Sequence, residues 1–196
     1  GALEALVAPS FTKVGYEVRR RLDDWTPLDG YDLRGRTYVV TGATSGLGLA
    51  AAEALAVAGA EVLVVGRSAT KTERVVDELR DRSGSAAVEA VIADVGDLDQ
   101  VRAAADAIRE GRSRLHGLLH NAGALDHERR TAPSGVEATI ASQVVGPFLL
   151  TTLLLDLLRS AGPGRVITMS SGGMYAAALT VDHLQLDDEH YDGTKQ

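Results

Sequence analysis

Residues 41–48 read Thr-Gly-Ala-Thr-Ser-Gly-Leu-Gly and lie between two segments of different periodicity. The preceding run 37–40 is rich in β-branched and aromatic side chains, and a long helical pattern begins at residue 49. This context predicts a strand, a tight glycine turn and the N-terminus of a helix. A strand-turn-helix unit of this kind constrains the chain to an α/β fold.

Each of the three glycines has an expected role in binding a dinucleotide. Gly42 permits the tight turn, Gly46 lets the backbone approach a pyrophosphate, and Gly48 lets the helix pack closely on its strand. The N–H groups at the positive end of the helix would then bind the phosphates. The alternative is a packing turn in another α/β fold. The candidate cofactor-binding residues of this turn are Gly42, Thr44, Ser45, Gly46, Leu47 and Gly48.

Strand-like and helix-like segments alternate along the rest of the chain. The predicted strands and helices cover 37–41, 46–58, 61–65, 69–80, 88–93, 98–110, 115–119, 135–160 and 165–169. Short apolar strands that alternate with helices predict an α/β fold with a doubly wound parallel sheet of the Rossmann type, which binds its ligand at the carboxyl ends of the strands.

An amphipathic helix is predicted over residues 10–25, ahead of the first strand. We therefore expect an N-terminal helical extension over residues 1–35 and a dinucleotide-binding domain over residues 36–196. The extension could cover an edge of the fold, pack on a partner subunit or touch a membrane surface, and packing is favoured.

Composition excludes several classes of function. The 196 residues carry a net charge of -7, which argues against a nucleic-acid-binding face. The chain has no cysteine, so it has neither disulfides nor a thiolate zinc site, and a cytoplasmic location is expected. A cluster of acidic and histidine side chains is interpreted as a solvated loop, so no metal site is expected; it comprises Asp182, His183, Asp187, Asp188, Glu189 and His190.

The glycine spacing resembles the short-chain dehydrogenase/reductase superfamily, of the single-domain type. Further landmarks follow in that family's order: Asp94-Val95, Asn121-Ala122-Gly123, Gly146-Pro147-Phe148 and Ser170-Ser171. The resemblance covers about residues 36–171. It implies an oxidoreductase that moves hydride between a nicotinamide and the carbonyl or alcohol carbon of a small molecule, and a homo-oligomer when the chain is complete.

The end of the second predicted strand indicates the type of cofactor. NAD-binding proteins usually hold the adenosine ribose with a carboxylate at this position, where this chain has Gly66. Arg67 and Ser68 follow, and a guanidinium can grip a 2′-phosphate with its planar fork. The sequence therefore favours NADP(H) over NAD(H). The alternative for Arg67 is a surface arginine at a strand end.

The resemblance assigns further cofactor contacts to the ends of the next two strands. Asp94 would accept from the adenine amino group, and Val95 would supply backbone and apolar contact. The alternative for Asp94 is an ordinary helix cap. Asn121 would tie neighbouring strands together, while Ala122 and Gly123 would leave room for the cofactor; a plain turn is the alternative.

Catalysis in this family uses a tyrosine, a lysine and a serine. Ser171 matches the serine, which orients the substrate carbonyl, although a polar strand end is the alternative. Gln143 stands where many members carry an asparagine that holds a water of the proton relay, and it could equally be a plain helix residue. Tyr191 and Lys195 are four residues apart, but glycine and a turn signal lie between them, so this pair is not expected to be catalytic.

The stretch Tyr191–Thr194 resembles retinol-dehydrogenase-like members, in which an aromatic-Asp-Gly-Thr sequence shortly precedes the catalytic helix. The catalytic Tyr-x-x-x-Lys would then begin at or just beyond Gln196, and the fold would lack its C-terminal strands and helices. Two other functions stay open. One is a cofactor-binding fragment or scaffold without turnover, and the other is a Rossmann-type epimerase.

Overall fold

A computed structural model describes residues 12–27, 30–124, 128–171 and 191. Five parallel strands form one sheet in the order β3-β2-β1-β4-β5. The order runs one way from β1 to β3 and the other way from β1 to β5, which confirms the predicted doubly wound sheet. The strands are β1 (Thr37–Thr41), β2 (Glu61–Gly66), β3 (Val88–Ile92), β4 (Gly117–His120) and β5 (Arg165–Thr168).

Helices cover both faces of this sheet. Successive side chains of a strand point to opposite faces, so Val39 and Val40 of β1 enter two different hydrophobic cores. Helices α2 and α3 close the core around Val40, whereas α4, α6 and α7 close the core around Val39. The helices are α1 (Lys13–Leu22), α2 (Gly46–Val57), α3 (Ala69–Ser83), α4 (Leu98–Arg109), α5 (Ala138–Ile140), α6 (Gly146–Leu153) and α7 (Leu155–Ser160).

The prediction of one long helix over 135–160 is wrong in two respects: the helical region begins later, and it is divided into several segments. Gly135 has a φ of +82°, and the helical region begins only at Ala138, where the Glu137 carboxylate accepts a hydrogen bond from the Ile140 N–H at 2.9 Å. A π-helical turn over Ala141–Val145 separates α5 from α6. Leu154, with φ of -102° and ψ of 7°, ends α6 and separates it from α7.

The N-terminal helix is shorter in the described residues than the predicted span 10–25. The Thr12 hydroxyl accepts from the Gly15 N–H and so caps α1. Gly15 is buried, but the Val14 and Leu22 side chains are 68% and 73% exposed. The apolar face of α1 therefore stays largely in contact with solvent. No helix in the described part of the chain has the length and apolar character needed to cross a membrane.

An ion-pair network closes the sheet at its amino end, opposite the glycine turn. The Arg112 guanidinium lies 2.8 Å from a Glu61 carboxylate oxygen and 2.9 Å from a Glu89 oxygen. The other Glu61 oxygen accepts from the Thr37 hydroxyl at 2.6 Å. Arg112, which is 14% exposed, thereby ties the segment after α4 to β1, β2 and β3.

Substitution of Arg112 by alanine should destabilise the fold. The change leaves the Glu61 and Glu89 carboxylates without their shared cation, so we expect the free energy of unfolding to fall by about 1.5–3 kcal/mol. Arg102→Ala is the matched control, because Arg102 forms an exposed pair with Asp99 and should cost less than about 0.5 kcal/mol. Urea denaturation of both variants measures the difference, and equal losses would contradict the structural role of Arg112.

Candidate functional site

The glycine turn joins β1 to α2 at the point where the strand order reverses. Gly42 and Gly46 have φ values of +65° and +57°, which favour glycine. A Cβ on Gly42 would lie 2.7 Å from the Ala122 Cα, and one on Gly48 would collide with the Asn121 amide nitrogen. A Cβ on Gly46 would meet nothing within 4 Å. Gly42 and Gly48 therefore face protein, whereas Gly46 faces open space in which a ligand could approach.

The N-terminus of α2 opens towards the same space. Ser45 is the N-cap residue, yet its side chain makes no capping hydrogen bond. The first N–H groups of a helix have no acceptor within the helix and attract anions. Ser45 and Leu47 are exposed, and Thr44 is half-buried beside them. This arrangement can bind a phosphate through backbone N–H groups.

Hydrogen bonds between Thr41 and Asn121 hold the carboxyl ends of β1 and β4 together. The Asn121 side-chain amide donates to the Thr41 and Gly42 carbonyl oxygens at 3.2 and 3.3 Å. The Thr41 hydroxyl accepts from the backbone N–H groups of Asn121 and Ala122, both at 3.1 Å, and donates to the Leu119 carbonyl at 3.3 Å. Sequence reasoning placed Asn121 in this role but left out Thr41, whose signal is a threonine that ends a buried strand.

The end of β2 lies beside the glycine turn. The Gly42 N–H donates to the Val65 carbonyl at 3.0 Å, which brings the two segments together. Arg67 is exposed, and within the described residues no acidic side chain forms an ion pair with it. Ser68 caps α3 by accepting from the Lys71 N–H at 3.4 Å. In the described part of the chain Arg67 thus has no partner carboxylate, and its backbone directly follows Gly66, which lies next to Thr44 of the glycine turn.

Asp94 is not the N-cap of α4. The Asp97 carboxylate caps α4 by accepting from the N–H groups of Asp99 and Gln100. The Asp94 carboxylate instead accepts from the Gly96 N–H at 2.9 Å and stays half-buried at the end of β3. Val95 is half-buried, and a Cβ on Gly146 would collide with its carbonyl oxygen. The close crossing holds the segment after β3 against the start of α6.

Gln143 lies in the π-helical turn and contacts the segment that follows β4. Its side-chain amide donates to the Ala124 carbonyl at 2.7 Å. A Cβ on Gly123 would lie 3.5 Å from the Gln143 Oε1, in ordinary contact. Single π-helical turns inside α-helices frequently mark functional sites. The turn here brings an amide side chain to the edge of the sheet that also carries Asn121 and Ala122.

His120 is a buried polar residue next to this edge that sequence reasoning missed. Its Nε2 lies 2.7 Å from the Thr151 hydroxyl, and the side chain is 5% exposed. Burial lowers the pKa of His120 and so favours the neutral ring. The signal in the sequence was a histidine at the inward position of a buried strand, directly before Asn121.

The proposed catalytic residues are only partly brought together. Ser171 is exposed and lies three positions beyond the end of β5, at the same edge of the sheet as Asn121 because all strands are parallel. Tyr191 is half-buried, whereas Lys195 lies outside the described residues. The acidic and histidine cluster 182–190 also lies outside them. No group of His, Asp and Glu suited to a metal ion occurs within the described ranges.

A family model described as short chain dehydrogenase matches residues 36–180. Dehydrogenase/reductase SDR family member 12 of Homo sapiens is 34% identical over 185 residues, which cover 94% of this chain and 57% of that protein. Retinol dehydrogenase 11 of Homo sapiens is 31% identical over 169 residues, which cover 86% of this chain and 53% of that protein. The chain therefore spans a little over half the length of these relatives.

Solved structures also resemble the chain. A short chain dehydrogenase from Escherichia coli CFT073, crystallised in complex with NADPH, superposes with a TM-score of 0.65 and 29% sequence identity. The match covers 76% of this chain and 62% of that one.

Gly42 and Gly46 should respond differently to the same substitution. In Gly42→Val the side chain meets the Ala122 backbone, so we expect the free energy of unfolding to fall by about 3 kcal/mol or more. In Gly46→Val the space is open and only backbone strain remains, for which we expect a loss of about 1–2 kcal/mol. Urea denaturation of the two variants tests this, and an equal loss would mean that Gly46 also faces protein.

Proposed function

The chain belongs to the short-chain dehydrogenase family, and from this premise we propose that it is an NADP(H)-dependent oxidoreductase. It would transfer hydride between the nicotinamide and the carbonyl or alcohol carbon of a small molecule. We assign the dinucleotide-binding domain to residues 36–196 and an N-terminal extension to residues 1–35, since the family match begins at residue 36.

One observation carries the choice of cofactor: an exposed guanidinium beside an uncapped helix N-terminus. The N–H groups at the start of α2 suit a pyrophosphate, and Gly46 leaves the approach open. Arg67 suits a 2′-phosphate, and Gly66 offers no carboxylate to repel it. The residues present therefore fit NADP(H). The similar structure from Escherichia coli was solved with NADPH, which supports the same choice.

Each part of the chain has a defined task in the proposed reaction. The cofactor, when bound, supplies or accepts the hydride. Backbone N–H groups of the glycine turn would hold the pyrophosphate, and Arg67 would hold the 2′-phosphate. Ser171 would donate a hydrogen bond to the substrate carbonyl oxygen and so orient it for attack. Gln143 holds the segment after β4 through Ala124 and keeps the cofactor-facing edge in place.

Replacement of Arg67 should change the affinity for NADPH but not the affinity for NADH. Arg67→Ala removes a charge-assisted fork, so we expect NADPH binding to weaken by about 1.5–3 kcal/mol while NADH binding barely changes. Arg74→Ala is the matched control, because Arg74 is an exposed arginine on α3 that pairs with Glu78. Calorimetric titration measures the affinities of the wild type and each variant for NADPH and NADH. Gly46→Val is expected to weaken the binding of both cofactors. Equal losses of NADPH and NADH in Arg67→Ala would refute the 2′-phosphate assignment.

Turnover is tested with a panel of aldehydes, ketones and quinones, both on this chain and on a chain extended to the length of its relatives. In the chain that reduces a carbonyl, Ser171→Ala should lower kcat/KM by about 10²–10³-fold, because one hydrogen bond to the carbonyl oxygen is lost. The affinity for NADPH should not change.

Tyr191→Phe should keep the rate of the unchanged chain, and loss of activity in this variant would identify Tyr191 as the proton donor. Cofactor binding without turnover in both chains would instead support a scaffold.

A further inference from the structure

Two threonines surround Gly66, the last residue of β2. A Cβ placed on Gly66 would lie 2.8 Å from the Thr44 methyl carbon and closer still to the Thr72 hydroxyl oxygen. Gly66 is not among the residues with positive φ, so its backbone conformation suits any L-amino acid. The requirement for glycine at this position is therefore one of space and not of backbone geometry.

Thr72 is held firmly in this place. Its side chain has no exposed surface, and its hydroxyl donates to the Ser68 carbonyl at 2.8 Å. The Thr72 backbone N–H donates to the same carbonyl at 2.9 Å. A rotation of the hydroxyl away from Gly66 would leave a buried donor without its acceptor, which carries a free-energy cost. Thr44 is only half-buried, so its methyl group can give way more easily.

Position 66 is where NAD-binding folds of this type place a ribose-binding carboxylate. We infer that Thr72 is a specificity-determining residue, which excludes an acidic side chain from position 66 and so holds the site in its NADP(H)-binding form. The inference rests on the proposed function of the site. According to this inference, the preference for NADP(H) depends on the packing of Thr72 against Gly66 as well as on the charge of Arg67.

The same threonine also fixes the segment that carries Arg67. Both of its hydrogen bonds end on the Ser68 carbonyl, one residue beyond the arginine. The space at position 66 and the position of Arg67 are therefore coupled through one residue, by its hydroxyl and its backbone N–H. A substitution at Gly66 that displaces Thr72 should disturb Arg67 too.

The test is a double-mutant cycle in which Gly66→Asp is introduced into the wild type, Thr72→Ala and Thr72→Ser. Thr72→Ser is the matched control, because it keeps the hydroxyl next to Gly66. Thermal unfolding without cofactor is the first measurement. We expect Gly66→Asp to lower the melting temperature strongly in the wild type and in Thr72→Ser, and much less in Thr72→Ala, because interacting sites are not additive. Adding Thr44→Ser to the alanine background should relieve the remaining contact.

Titration with NADPH and NADH is the second measurement. Gly66→Asp alone should weaken both cofactors. In Gly66→Asp/Thr72→Ala the carboxylate has room to stand, so the NADH/NADPH affinity ratio should shift towards NADH by about tenfold or more relative to the wild type. Thr72→Ala by itself removes the hydroxyl bond to Ser68, so it should weaken the binding of NADPH, but without a carboxylate at position 66 it should not gain affinity for NADH.

The outcomes separate this inference from the proposed function. The inference is overturned if Gly66→Asp lowers the stability equally in all three backgrounds. It is also overturned if the Gly66→Asp protein binds NADH more tightly than NADPH without any change at Thr72. In both cases NADPH binding by the wild type would still support the proposed function. If the wild type binds neither cofactor, or binds NADH more tightly, the proposed function fails and the inference fails with it. Coupled stabilities together with the shifted ratio would establish Thr72 in this role.

Discussion

The hydrogen bonds between Thr41 and Asn121 are the interaction on which the candidate site depends. They join β1 to β4 at the point where the order of the strands reverses, and they satisfy backbone groups that the sheet itself leaves without partners at its carboxyl edge. Thr41 is 1% exposed, so these bonds form in a region of low dielectric where a lost partner is costly. Gly42 and Gly48 must lack side chains because Ala122 and Asn121 stand directly against them.

Much of this edge could be predicted from the sequence because local patterns encode it. The β-branched run before Thr41 and the helical pattern after Gly48 specify a strand and a helix by their periodicity, and the turn between them needs glycine in any arrangement. The same reasoning from periodicity predicted the order of strands and helices and the doubly wound sheet. At Asp94 two interpretations stayed open, and the cap of α4 proved to be Asp97.

The missed features depend on contacts between distant parts of the chain. The Val95 carbonyl packs against Gly146, and Leu154 ends α6 with a backbone that no propensity signals, so the apolar pattern over 135–160 indicated one continuous helix. Gly66 was interpreted from the sequence only as a missing carboxylate. The structure adds that Thr72, six residues further along, leaves no room for one. The sequence shows that glycine at this position supplies no carboxylate. Only the packing shows that the neighbouring side chain also occupies the volume that a carboxylate would need.

The π-helical turn connects two of the strand ends that form this edge. It follows α5 directly, and its Ser142 packs beside Gly96 after β3, while its Gln143 bonds the Ala124 carbonyl after β4. A regular α-helix places consecutive side chains about a hundred degrees apart, and the wider π turn changes that angle locally. The longer arm of glutamine, compared with the asparagine of many family members, suits the 2.7 Å bond to Ala124. In this chain the amide at position 143 therefore binds the backbone after β4.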